Sequence, residues 1–181
     1  MIRIALLLWA AFLLASPASA DIARPVAGGF IVAATQGQVS VTGTTSETNL
    51  ASLRIPAGAM GRNGHIEVKA LWSYTNNTDA KTVLFRLGTA SGIGGAALNV
   101  APTLTSSATA QLMVVLRANN ATNSQYAFPG SPAVPFGSTG AMAPTSVDMT
   151  QDAYINLTGQ LAVSTDTLTL VHAYAVVYPS P

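Results

Sequence analysis

The chain has no cysteine among its 181 residues. Disulfides, thiolate metal sites and thiol nucleophiles are therefore excluded. Charge is almost as scarce. Eight Lys or Arg face seven Asp or Glu, charged residues make up 8% of the chain, and the formal net charge is +1. A typical soluble domain carries about a quarter of its residues as charges. With no basic cluster in this balance, nucleic acid is not an expected partner. Long amphipathic helical patterns are missing too. Gly, Pro, Thr, Ser and Asn recur too often, and apolar residues repeat every two positions rather than every three or four. What is abundant is apolar content, at 49%. That is too much for a disordered chain.

The first twenty residues read MIRIALLLWAAFLLASPASA. Arg3 gives a positive start, Ile4 to Ala15 is an unbroken apolar run, and Ala18-Ser19-Ala20 is an A-x-A cleavage pattern. These are the three parts of a secretory leader in order. The run is too short to span a bilayer, which takes about 20 residues. Residues 1–20 are thus expected to be a signal peptide cleaved after Ala20, and the remainder suits a single domain. The leader implies export, to the extracellular or periplasmic space.

Residues 21–43 form an N-terminal segment, expected as an edge strand or as a strand exchanged with a neighbouring copy. Residues 44–181 are expected to form the sandwich domain. Strands are expected over 48–55, 65–74, 81–89, 110–118, 153–163 and 166–178, with a short one near 96–100. The stretch 65–74 alternates most clearly, with Ile66, Val68, Ala70, Trp72 and Tyr74 on one face. The middle of 110–118 is apolar on both faces, which suits a central or covered strand. Residues 119–147 hold four Pro and three Gly and read as a long loop. The expected fold is an all-β, jelly-roll-like antiparallel β-sandwich of about eight strands.

Candidate chemistry is thin. Gly88-Thr89-Ala90-Ser91-Gly92-Ile93-Gly94 has the glycine spacing of a dinucleotide turn. No helical pattern follows it and no βαβ unit surrounds it, so a flexible loop is the expectation. His65 shares an outward face with Glu67 and Lys69, and His172 reads as a partly buried strand residue. No G-x-S-x-G elbow occurs. Glu67 and Asp79 are conceivable as a carboxylate pair for glycoside chemistry, but no pattern joins them. Asp148, Asp152 and Asp166 are scattered. No catalytic residue, metal site or cofactor is expected, and the chain reads as a non-enzyme. Asn76, Asn120 and Asn156 sit in N-x-S/T patterns and read as turn and strand polar residues. Tyr126, Phe128 and Phe136 have two readings: a platform for stacking sugars or contacting protein, or side chains that plug the end of the sandwich.

The block TTSETNLASLRIPAGAMGRNGHIEVKALWSYTNNTDAKTVLFRLG, Thr44 to Gly88, carries Glu47, Thr48, Leu50, Ile55, Pro56, Ala57, Met60, Gly61, Asn63, Gly64, Trp72, Asn76, Arg86 and Gly88. The C-terminal part adds Asp152, Leu157, Thr158, Gly159, Gln160, Leu161 and Ala162, then Asp166, Thr167, Leu168 and Leu170. This pattern resembles a β-sandwich module of tailed-bacteriophage structural proteins, found in tails, fibres and head decorations. The resemblance implies a non-enzymatic virion structural or adhesion subunit, often oligomeric, with other virion proteins or a cell-surface glycan as partners. Near-neutral surfaces also tend to associate, so a homo-oligomer is expected, with a trimer the most natural size. Two other readings stand beside it: a secreted carbohydrate- or surface-binding module using Tyr126, Phe128 and Phe136, and an extracellular fibre subunit.

Overall fold

A computed structural model describes residues 28–99, 102–129 and 142–180. The leader 1–20, residues 21–27 and Phe136 lie outside the described residues. Twelve strands follow in chain order: β1 (Phe30–Ala34), β2 (Val39–Thr42), β3 (Thr48–Ile55), β4 (His65–Tyr74), β5 (Lys81–Gly88), β6 (Ala96–Ala97), β7 (Thr103–Leu104), β8 (Thr109–Ala118), β9 (Gln125–Pro129), β10 (Ala143–Thr145), β11 (Ala153–Leu161) and β12 (Thr167–Tyr178). No helix occurs among the described residues.

The strands form two antiparallel sheets. The seven-stranded sheet runs β1-β12-β4-β8-β9-β10, with β2 also paired to β12. The five-stranded sheet runs β3-β11-β5-β6, with β7 also paired to β5. The fold is a jelly-roll-like β-sandwich. Alternation dictates the arrangement, because successive side chains point to opposite faces. In β4, Ile66, Val68, Ala70, Trp72 and Tyr74 are buried, and in β5 so are Val83, Phe85 and Leu87. Across the sandwich they meet Ile155 and Leu157 of β11 and Leu168 and Leu170 of β12 in one core. Each such apolar side chain contributes about 1.5–3 kcal/mol on burial, which removes the need for a disulfide.

The strand count exceeds eight for identifiable reasons. β6 and β7 are two-residue pairings against β5. Residues 119–147 are not one loop. β9 pairs with β8 from Val114↔Pro129 to Ala118↔Gln125, and β10 pairs with β9. Prolines 129 and 144 hide these strands in the sequence, and proline is tolerated here because β9 and β10 lie toward the sheet edge. The segment 21–43 supplies two edge strands in cis: β1 and β2 pair with successive halves of β12. His172 is exposed rather than partly buried. A register shift between Leu170 and His172 against β4 reverses the alternation there, as a bulge does.

The residues that carry the phage-type pattern are largely scaffold. Gly61 adopts φ +72° and bridges to Ser180. A Cβ on Gly64 would lie 2.0 Å from the Met60 carbonyl oxygen, so only glycine fits there. Arg86 donates from Nε and Nη2 to Glu47 Oε1 and Oε2 at 2.8 and 2.9 Å, and Thr158 donates its hydroxyl to the same carboxylate.

Candidate functional site

The outward side chains of the seven-stranded sheet form the most unusual surface of the molecule. Register places them in transverse rows. His65 of β4 stands between Tyr178 of β12 and Arg117 of β8, and Arg117 stands beside Tyr126 of β9. The His65 and Tyr178 rings stack with centroids 4.4 Å apart and planes 10° apart. The next row is Ile31, Val176, Glu67, Val115 and Phe128, from β1 across to β9. Below it lie Tyr174, Lys69 and Met113, then His172, Leu71 and Gln111. Glu67 and Lys69 make a loose ion pair at 3.6 Å.

Several of these apolar side chains are open. Ile31 is 64% exposed, Leu71 43%, Met113 37%, Tyr126 39%, Phe128 44% and Met142 55%. Aliphatic and aromatic groups on adjacent strands of one sheet form a contiguous patch rather than scattered surface residues, and such patches mark contact sites. At the β8–β9 end the face dips into a cavity of about 470 Å³ lined by Val115, Arg117, Ala118, Asn119, Tyr126, Phe128 and Met142. That volume is in the range of small-ligand sites, and its lining joins aromatic faces to one guanidinium and one amide.

Two of the three expected aromatics are thus brought together: Tyr126 and Phe128 are two apart in β9 and share its outward face. They do not plug the sandwich, since Ala127 between them is the buried residue. Sequence reading missed Ile31, Leu71, Met113 and Arg117 as members of the same face. Their signal was apolar residues at both phases of a period-two strand, visible in 112–116 but weighed there as a reason for covering.

Apart from Glu67, the described carboxylates are engaged elsewhere. The Arg86 guanidinium holds the Glu47 carboxyl below its ordinary range, against the opposing pull of partial burial, with help from Thr158. Arg54 lowers Asp152, with the Ala57 amide assisting. The Thr150 hydroxyl and amide lower Asp148. Lys81 lowers Asp166. Asp79 Oδ2 accepts from Asn77 Nδ2 at 3.2 Å. Among the described residues no group of three His, Asp or Glu is placed to hold a metal ion. Asn156 of β11 is buried and donates to the carbonyls of Ala90 and Gly94, so the 88–94 glycine run serves as a cap over the five-stranded sheet.

No family model matches the sequence, and no curated protein is significantly similar to it. Among solved structures, a chain of infectious bursal disease virus, Gt strain, is similar over 83% of this chain and 33% of that chain, with TM-score 0.44 and 9% identity. The protein therefore spans about a third of the length of that viral chain. The lectin UEA-II, solved in complex with galactose, is similar over 83% of this chain and 91% of its own, with TM-score 0.35 and 12% identity. The chain is a β-sandwich module. Strand pairing and burial establish that without the neighbours.

Proposed function

We propose that this protein is a non-enzymatic, self-associating subunit of phage-type virion structural or adhesion assemblies, whose contact surface is the outer face of the seven-stranded sheet. One observation carries the reading: that face leaves Ile31, Leu71, Met113, Tyr126, Phe128 and Met142 open around a few charged and polar groups. It measures about 20 by 30 Å, near 600 Å², against about 800 Å² per partner in a standard interface. Neighbouring copies of the chain, closed into a ring, supply apolar cover without any further partner. The pattern of residues 44–88 supports the virion side of the reading. The engagement of Glu47, Asp79, Asp148 and Asp152 in scaffold contacts supports a non-enzyme.

Light scattering on the chain from residue 21 onward, over a range of concentrations, tests the proposal. A closed oligomer, a trimer first among them, is the expected result. A monomer at every concentration overturns it.

The cavity beside Phe128 favours a second reading, in which the β8–β9 end of the face binds a cell-surface glycan. Aromatic rings stack on the apolar faces of sugars, and Arg117 and Asn119 offer donors at the rim. Replacing Tyr126, Phe128 and Phe136 by Ala is then expected to abolish binding on a glycan array.

A further inference from the structure

The one fully buried charged side chain among the described residues is Lys81, at an inward position where β5 begins. Its Nζ donates to Asn77 Oδ1 and, at 2.8 Å, to the Asp79 carbonyl. It also lies 2.9 Å from Asp166 Oδ2, whose side chain is 5% exposed. Asp166 reaches the same carboxamide from the other side, because Asn77 Nδ2 donates to Asp166 Oδ1 at 2.8 Å. The Asp79 backbone N–H donates to Asn77 Oδ1 at 3.1 Å. An amine, a carboxamide, a carboxylate bridging the two nitrogens, and an N–H on the carbonyl oxygen therefore meet at one site.

We propose that Lys81 and Asn77 form an intramolecular amide bond in the folded protein, with Asp166 as the catalytic proton carrier. Each part matches a requirement of acyl transfer. Nζ is held on the carboxamide oxygen, one bond from the carbon it attacks, so the reaction is effectively unimolecular. The Asp166 carboxylate touches Nζ through Oδ2 and Nδ2 through Oδ1, so it is placed to take a proton from the amine and pass it to the leaving nitrogen. The Asp79 N–H faces the oxygen on which negative charge develops.

The step balances without any other reactant. Lys81 Nζ attacks Asn77 Cγ, the Nζ–Cγ bond forms and the Cγ–Nδ2 bond breaks. Asp166 gives its proton to Nδ2, which leaves as ammonia, and takes the remaining excess proton from Nζ. Ammonia then accepts that proton and restores the carboxylate. Nothing is oxidised or reduced. A chain without cysteine thereby gains a covalent clasp at the β4–β5 turn, in contact with the head of β12.

The test is a tryptic digest of the purified, then denatured, full chain, read by mass spectrometry. The expected product is a single peptide, 70–86, uncut after Lys81 and lighter than its sequence by one ammonia, about 17 Da. Fragmentation of that peptide should give no cleavage ions between Asn77 and Lys81. Asp166→Asn is expected to restore cutting after Lys81 and the full sequence mass. Cleavage after Lys81 in the wild-type chain overturns the proposal, whatever the mass. That includes a lightened but cleavable peptide, which would be a succinimide at Asn77. The wild-type digest decides the matter even if the variant fails to fold. A cross-link that persists in Asp166→Asn overturns the role given to Asp166.

Discussion

The two sheets bury similar side chains inward and present opposite surfaces outward. On the five-stranded sheet the outward positions of β11 are Tyr154, Asn156, Thr158 and Gln160. Asn156 and Thr158 are nevertheless 0% and 1% exposed, because the chain lays its own 88–94 segment and Glu47 over them. Amides and hydroxyls at those positions give the covering segments hydrogen-bond partners, and buried polar groups need such partners. On the seven-stranded sheet the corresponding positions are Ile31, Leu71, Met113 and Phe128, and they stay open. One sheet carries its cover within the chain; the other leaves its aliphatic and aromatic groups open, as the proposed contact requires. Outward residue type thus distinguishes a capped sheet from an uncapped one.

Charge placed on the open face should have the largest effect. Leu71→Lys with Met113→Lys would set two ammonium groups beside Lys69, in the middle of the proposed contact. Each lost aliphatic contact is worth about 1.5–3 kcal/mol, so self-association is expected to weaken by at least ~100-fold. Light scattering should report a monomer that keeps the circular dichroism spectrum of the wild type. The matched pair on the other sheet, Thr82→Lys with Gln160→Lys, should leave the oligomer intact. If both pairs dissociate the oligomer, or neither does, the distinction between the sheets fails as an account of assembly.

Next in size is the capped sheet's own pairing. Arg86→Ala removes a bidentate partner from Glu47 when the two side chains are only 20% and 23% exposed. Charge-assisted bonds in such settings are worth about 1–3 kcal/mol, and a urea titration should read a loss of that order. The same pair sets an acid response. Glu47 titrates below its ordinary value of 4.5 in the folded protein. Its contribution is therefore fully present above the unfolded value and is lost as pH falls through the folded value. Unfolding midpoints should hold from neutral pH down to the ordinary carboxylate range and fall below it. Arg86→Ala should flatten that fall, and an unchanged acid profile in the variant would remove Glu47 as its source.

The sandwich itself was legible because alternation in 65–74 and 81–89 is uninterrupted, and both stretches became strands, with Ile66, Val68, Ala70, Trp72 and Tyr74 inward as expected. β9 and β10 were hidden by Pro129 and Pro144, since turn chemistry and edge-strand chemistry look alike in a single sequence. His172 was misplaced because a one-residue bulge reverses every later face, and no residue type announces it. The candidate face was half legible. Tyr126 and Phe128 stood out as aromatics, but their grouping with Leu71 and Met113 depends on β8 lying between β4 and β9. That neighbour order is a long-range fact which local periodicity does not contain.

The smallest effect sharpens the comparison within one sheet. Arg54 donates from Nε and Nη2 to the single oxygen Asp152 Oδ2 at 2.9 and 2.7 Å, where Arg86 meets both oxygens of Glu47. Solvent separates the pairs further, because the side chains of this one are 59% and 39% exposed. Screened pairs of this kind contribute little, so Arg54→Ala should leave the urea midpoint within error of wild type. Asp152→Ala should cost more, because Oδ1 also accepts the Ala57 backbone N–H at 3.1 Å and so anchors the turn after β3. A denaturation series on both variants reads the asymmetry. If Arg54→Ala proves as costly as Asp152→Ala, the ion pair rather than the turn anchor holds this corner, and exposure is the wrong way to rank the two arginines.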